Sequence, residues 1–284
     1  MTVATDKPRA SLRHWLATSP HPSAALARRL RGGLRGFTLP APRLVVRPYL
    51  WLFLGLRALV FGFRRLFIAE PLFKAYCTRL GRNVTTGIYV PWIQGKGDLE
   101  VGDGVHVSGK LSVAFAARFA ARPRLVIGAG TDIAHDCRIV VGKEVRIGAG
   151  VELAGGVTIR DSGGHPADPA RRAAGAPPDE SDVKPVEIQD NAWIGSNVLI
   201  LPGSVVGEGS IVSAHSVVAG TVAPYTIVAG NPARRVGTLV PPPGRAHLAP
   251  PAPPTLRAAG ARPAPAAADA DAAAPGKRSQ ATGA

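Results

Sequence analysis

The chain has 284 residues, enough for one large domain or two small ones, and only two cysteines, Cys77 and Cys137, so no disulfide framework holds it together. Aromatic residues make up 6%, with 33 glycines and 27 prolines, a balance that argues against a helical bundle and for a turn-rich β architecture. The formal charge of +15 reads as a nucleic-acid signal until it is located: +13 of it falls in residues 1–82, where fifteen Lys/Arg face only Asp6 and Glu70, and the body beyond is close to neutral.

Residues 1–43 are rich in Arg, Pro, Ser, Gly and Ala and lack the apolar core and cleavage site of a signal peptide. They are expected to form a disordered basic arm. Residues 44–82 carry an apolar helix, centred on PYLWLFLGLRALVFGFRRLFIAE from Pro48 to Glu70. Pro48 suits a first helical turn, and Pro71 is expected to close the segment. The length nearly matches a bilayer, which needs roughly 20 apolar residues. Arg57 near its centre argues against a span, at a cost of about 2.5–3.5 kcal/mol in mid-membrane. Arg64, seven residues on, shares its face, and Trp51 and several Phe lie opposite. The pattern predicts an amphipathic helix lying in a membrane surface, with Arg43, Arg47, Lys74, Arg79 and Arg82 attracting anionic lipid. The alternatives are a helix packed on the protein's own body or a sister subunit, and a true span. Nucleic-acid binding fits poorly, because the basic residues interleave with a continuous apolar surface. The expected location is cytoplasmic, peripheral on the inner face of the membrane.

Residues 83–237 follow a different rule. Aliphatic residues recur every six positions at Ile127, Ile133, Ile139, Val145, Val151 and Val157, and again at Ile188, Ile194, Ile200, Val206, Val212 and Val218. A weaker run precedes them at Val101, Val107 and Val113. The fourth residue after each is usually small, as at Thr131, Cys137, Ala149, Gly155, Ala192, Ser204, Ser210 and Ser216, with Lys143 and Asp161 as misfits. Period six is the hexapeptide signature of a parallel β-helix, in which three short sides close one coil. The aliphatic residue points inward and the small one fills the corner, so Cys137 is a packing residue. One phase shift is read between Val157 and Ile188, which makes 160–186 (RDSGGHPADPARRAAGAPPDESDVKPV) a loop thrown out of the coil. A long loop on a regular scaffold is where function concentrates. The remaining residues, 238–284, are dominated by Pro and Ala and are expected to be a disordered tail.

Three motifs carry a resemblance: Gly164-His165-Pro166 at the start of the loop, KPVEIQDNAWIGSNVLILPGSVVGEGSIV over 184–212, and GNPAR over 230–234. With them the chain resembles the hexapeptide-repeat acyltransferases, such as galactoside and maltose O-acetyltransferases, most strongly over 157–236. The resemblance implies a mainly β fold: a left-handed parallel β-helix with an extruded loop, preceded here by the amphipathic helix. It implies a homotrimer, acetyl-CoA as acyl donor, no metal, and transfer to a hydroxyl of a sugar or lipid-linked glycan. His165 is then the general base. A hydroxyl must lose its proton as it attacks a thioester, and a neutral imidazole suits that task.

The other implied contacts are Trp193, Ser196 and Ala214 beside the cofactor arm and Arg234 near its phosphates, with Arg235 as a further candidate. His135 occupies a turn where relatives place an acceptor-contacting Asn. Asp161 is a candidate acceptor contact, and Asp161 or Asp168 could orient His165. The chain departs from the pattern at Ala219-Gly220, where the sugar acetyltransferases often have Thr-Lys. His106 and His215 read as structural. Zinc chemistry is disfavoured because the coil histidines are scattered. A non-catalytic scaffold, or an amine or xenobiotic acceptor, stays open.

Overall fold

The computed structural model describes residues 11–116 and 118–249, in two units that divide between Phe63 and Arg64. The first unit is helical, which corrects the expectation of a disordered arm for residues 11–43. Helix α1 (Leu12–Thr18) is capped by the Ser11 hydroxyl, which accepts from His14 N. Helix α2 (Pro22–Gly36) opens on Pro22 and runs through good helix formers, Ala, Leu and Arg. The Arg28 guanidinium ties the two together by donating to Leu16 O and Ser19 O, at 2.8 and 3.0 Å. The part of the arm before Ser11 lies outside the described residues.

Helix α3 (Arg43–Arg64) starts earlier than Pro48, which sits inside it one turn from the end. Pro71 does not end the helical run either. A π-turn over Arg65–Ala69 leads into α4 (Glu70–Tyr76). The wide turn absorbs the backbone bond that Pro71 cannot make, so the chain stays helical through the proline. Glu70 is held by Lys74 at 2.7 Å and Arg65 at 3.7 Å. In the second unit Phe73 of α4 is fully buried and joins the core of the coil.

That coil is the left-handed parallel β-helix that the repeat predicts. It begins at Arg79–Leu80 rather than at residue 83, since this short strand already pairs with Glu100–Val101. Its strands form three parallel sheets of seven, eight and six members, here called the first, second and third faces. All twelve aliphatic positions of the repeat, and Val101, Val107 and Val113, are at most 3% exposed. Burying an aliphatic side chain is worth about 1.5–3 kcal/mol, so these rows are the main source of the coil's stability. Polar corners are satisfied within the wall: Ser204 and Ser210 hydroxyls donate to Val218 O and Ala223 O.

Stacking shows two phase shifts, not one. In the later coils the partners are 18 residues apart: Ile188 on Val206, Ile194 on Val212, Ile200 on Val218. Ile127, Ile133 and Ile139 stack on Ile147, Leu153 and Ile159, which is 20 apart. Val145, Val151 and Val157 are inward as expected, but they stand in the row that small residues hold elsewhere; Val151 lies beside Ala192. Two extra residues are taken up after Ile139, around Gly142. The second shift is the loop, and across it Ile159 stacks on Ile200, 41 residues on.

The corners explain several identities. Asn191, Asn197, Gly203, Gly209 and His215, six apart, all have φ between +57° and +76°. Asn and Gly tolerate that region at little cost, and His215 is a corner residue, as read. The last strand, Arg234–Thr238, folds back antiparallel on Thr226–Ala229. The tail expected to be disordered is fastened at its start: Arg245 pairs with Glu208 at 3.2 Å, and Glu208 also accepts from the Tyr225 hydroxyl at 3.1 Å. The rest of that tail lies outside the described residues.

Candidate active site

The loop leaves the coil after Thr158–Arg160 on the third face and rejoins it at Val186–Ile188 on the first. Its base is set by Asp161, which is fully buried. The carboxylate accepts from three backbone N–H groups, Gly142 at 2.6 Å, Lys143 at 2.6 Å and Glu144 at 3.0 Å. These are the residues where the coil takes up its two extra members. The backbone carbonyl of Asp161 accepts from Lys184 N at 2.9 Å, which closes the loop's two ends on each other. Burial pushes the Asp161 carboxyl above its ordinary range, opposed by the donors of Lys143, Gly142 and Glu144. The reading of Asp161 as an acceptor contact or an orienter of His165 is therefore corrected. Its oxygens are spent on the backbone, and no substrate can reach them.

His165 stands exposed four residues further on. Gly164 before it has φ +85°, and its amide donates to the buried Ser162 hydroxyl at 3.3 Å. A side chain at Gly164 would strain this turn, which aims the histidine. The Arg172 guanidinium, on α5 (Pro169–Ala173), donates to Pro166 O and Ala167 O at 3.0 Å each and holds the segment after it. Asp168 caps α5 by accepting from Arg171 N at 2.7 Å, so it does not orient the imidazole. An Arg171–Asp179 pair and a 3.0 Å Lys143–Glu180 pair brace the rest of the loop. His165 lines a cleft of about 420 Å³ with Ala116, Arg118, Phe119, Ser162 and Arg172.

Three other candidates share one edge. His135, Ser196 and Ala214 occupy successive corners between the second and third faces. A ladder of backbone bonds stacks those corners: Gly156 N to His135 O, Asn197 N to Gly155 O and His215 N to Ser196 O, at 2.8–2.9 Å. Ser196 and Ala214 are exposed, and Trp193, half exposed, stands on the second face just before the corner. The His135 ring packs over Gly109, where a Cβ would lie 2.0 Å from its Nδ1. His165 belongs to a different edge, the one between the third and first faces. Arg234 and Arg235 line a third place, a cleft of about 310 Å³ shared with Ala219 and Gly220. The two residues that depart from the sugar-acetyltransferase pattern thus lie in the same cleft as the two arginines.

The sequence reading missed Arg118, Phe119 and Arg172. Arg118 and Phe119 come from a second outward segment between Ser112–Phe115 and Arg124–Ile127. A signal existed: Val113 and Ile127 are 14 residues apart where the repeat demands a multiple of six.

Residues 185–220 match the family model for the bacterial transferase hexapeptide, six repeats. Two yeast proteins that bear the name "Putative acetyltransferase" are similar in sequence. The one from Schizosaccharomyces pombe is 37% identical over 98 residues, 34% of this chain and 42% of the relative. The one from Saccharomyces cerevisiae is 38% identical over 100 residues, 35% of this chain and 48% of the relative. The match thus spans less than half the length of either relative. Among solved structures, a hexapeptide-repeat acetyltransferase from Vibrio cholerae is 26% identical with a TM-score of 0.42, covering 60% of this chain and 78% of that one. A maltose O-acetyltransferase from Clostridium difficile is 23% identical with a TM-score of 0.43, covering 60% and 74%.

Proposed function

On the premise that this coil is a bacterial transferase hexapeptide domain, we propose that the protein is an acetyltransferase that uses acetyl-CoA as donor and a hydroxyl of a sugar or glycan as acceptor. His165 is the general base, and no covalent enzyme intermediate forms. The observation that carries the reading is His165 itself: an exposed imidazole, free of hydrogen bonds to other described residues, held in a cleft at the foot of a braced loop. The names of the two yeast relatives support the reaction class.

The donor supplies a thioester carbonyl. This chain's part is to place the acceptor oxygen and move its proton. His165 accepts the hydroxyl proton as the oxygen attacks, which is worth about 10²–10⁴ in rate. It returns that proton to the departing sulfur. Backbone N–H groups along the coil edge are the natural stabilisers of the tetrahedral oxyanion. Exposed Trp193, Ser196 and Ala214 leave an open strip for a long, thin arm, and Arg234 and Arg235 offer cations to its phosphates.

His165 and that strip stand on different edges of one coil. Two copies side by side bring the histidine of one to the strip of the next, and three such contacts close a ring. A homotrimer is therefore part of the proposal. So is a seat on the inner face of the membrane. None of the side chains of α3 is buried, and at 100° per residue Arg43, Arg47, Arg57 and Arg64 fall within roughly a 100° arc. Arg57 sits 5.9 Å from the rings of both Phe53 and Phe61. A charged stripe on an otherwise apolar cylinder suits the membrane surface and favours a lipid-linked acceptor. The test is acetyl-CoA turnover against free and lipid-linked sugars, with product mass spectrometry. Absence of acetyl transfer to every hydroxyl acceptor, with transfer to an amine, would replace the acceptor class.

A further inference from the structure

A second cleft, of about 660 Å³, opens on the early coils, against about 420 Å³ for the His165 cleft. It lies where the corner between the second and third faces meets the third face. Its lining joins two aromatic rings, Tyr89 and Trp92, to three cations, Arg64, Lys110 and Arg138, against one carboxylate, Asp136. Trp92 is 65% exposed, unusual for an indole that serves only packing. The Lys110 ammonium lies 5.3 Å from the centre of the Tyr89 ring, which holds the cation beside an aromatic plane.

The position follows from the coil's register. Trp92, Ser112 and Arg138 are stacked neighbours on the third face, so the indole and the guanidinium look out from the same side two coils apart. The His165 cleft uses the far end of this same face, through Ala116 and Val140. A ligand seated at Trp92 and Arg138 would extend along the third face toward the loop.

We propose that this cleft binds a sugar ring that carries an anionic substituent, and that it is the acceptor-holding site of the transferase reading above, on which the inference rests. The rings supply flat apolar faces for the C–H side of a pyranose. Lys110 and Arg138, with Arg64, supply an unbalanced positive charge for a phosphate or carboxylate on it, and the Arg forks hold such a group bidentately. Neutral sugars satisfy only half of this lining. The anion could belong to a free sugar phosphate or to the phosphate that links a sugar to a lipid. Arg64 directly follows the apolar stretch of the helix in the chain.

The test is titration calorimetry on the full chain with three probes: glucose, glucose 1-phosphate, and glucose linked to undecaprenyl phosphate in phosphatidylcholine vesicles. Glucose 1-phosphate is expected to bind at least tenfold more tightly than glucose. Lys110→Gln with Arg138→Gln should erase that preference, and Trp92→Ala should weaken both sugars by about tenfold. Binding of the vesicle probe alone would assign the anion to a lipid headgroup; binding of both would admit the free sugar phosphate. Equal affinity for glucose and both phosphorylated probes, or a preference that survives Lys110→Gln with Arg138→Gln, overturns the proposal. Acetyl-CoA binding is measured on the same samples. Phosphosugar binding without acetyl-CoA binding would sink the transferase reading and leave the site standing, and the reverse result would sink the site alone.

Discussion

Replacing Asp161 with Ala tests whether the loop is braced from inside the coil. The carboxylate accepts three backbone N–H bonds, two at 2.6 Å and one at 3.0 Å, from consecutive residues. Hydrogen bonds to a charged acceptor are worth about 1.5–3 kcal/mol each. Two corrections reduce the sum. The half-buried Lys143 and Glu144 amides regain water once the carboxylate is gone, and the burial cost of the charge disappears with it. A net loss of about 3–4 kcal/mol follows. In a domain of this size each kcal/mol moves Tm by about 2–4 °C, so Tm should fall by roughly 10 °C. Asp161→Asn, which keeps one carbonyl acceptor but no charge, should lose about half as much. The assay is thermal unfolding followed by circular dichroism, with urea unfolding as a check. A Tm unchanged within about 1 °C in Asp161→Ala, with a raised KM for acceptor, would refute the brace and restore Asp161 as a substrate contact.

Other outcomes are equally direct. Arg234→Ala with Arg235→Ala should raise the KM for acetyl-CoA with kcat nearly unchanged, since phosphate contacts hold ground and transition states alike; an unchanged KM would place the phosphates elsewhere. Deleting residues 1–70 should abolish salt-sensitive sedimentation with anionic liposomes, and full-length protein that stays in the supernatant at low salt would remove the membrane seat. Acid stability should depend on Glu100, whose carboxyl is held below its ordinary 4.5 chiefly by the Arg124 side-chain bonds, at 2.7 and 2.9 Å. A depressed folded value means the contribution is complete above pH 4.5 and is lost as pH falls through the lower folded value. Glu100→Gln should therefore flatten the acid limb of the stability curve, and an unaltered limb would show the pair to be inert.

The fold was legible because period six admits few alternatives, and every aliphatic residue it marks is inward. What the period hid was phase. Val145 and Ile147 are both buried, so a two-residue slip after Ile139 left the apparent beat intact while moving it to the neighbouring row. Only the backbone register distinguishes the two rows. Pro71 was misread because a single π-turn upstream lets a helix pass through a proline, and no residue type announces that turn. Composition also misled for residues 11–43, where Arg and Ala stand as helix formers rather than as disorder. At the site, His165 and the edge residues followed from motifs, whereas Asp161 was misassigned. A buried carboxylate and a substrate contact look alike in sequence; the three amides that claim it lie 17–19 residues away.

The central claim is that His165 removes the acceptor's proton during acetyl transfer. The measurement is kcat for His165→Ala against the unaltered enzyme, on protein whose Tm and oligomeric state match. The account predicts a fall of about 10²–10⁴ with acetyl-CoA binding retained. A folded His165→Ala protein that transfers acetyl groups within about threefold of the normal kcat would contradict it, because general-base removal costs far more than that.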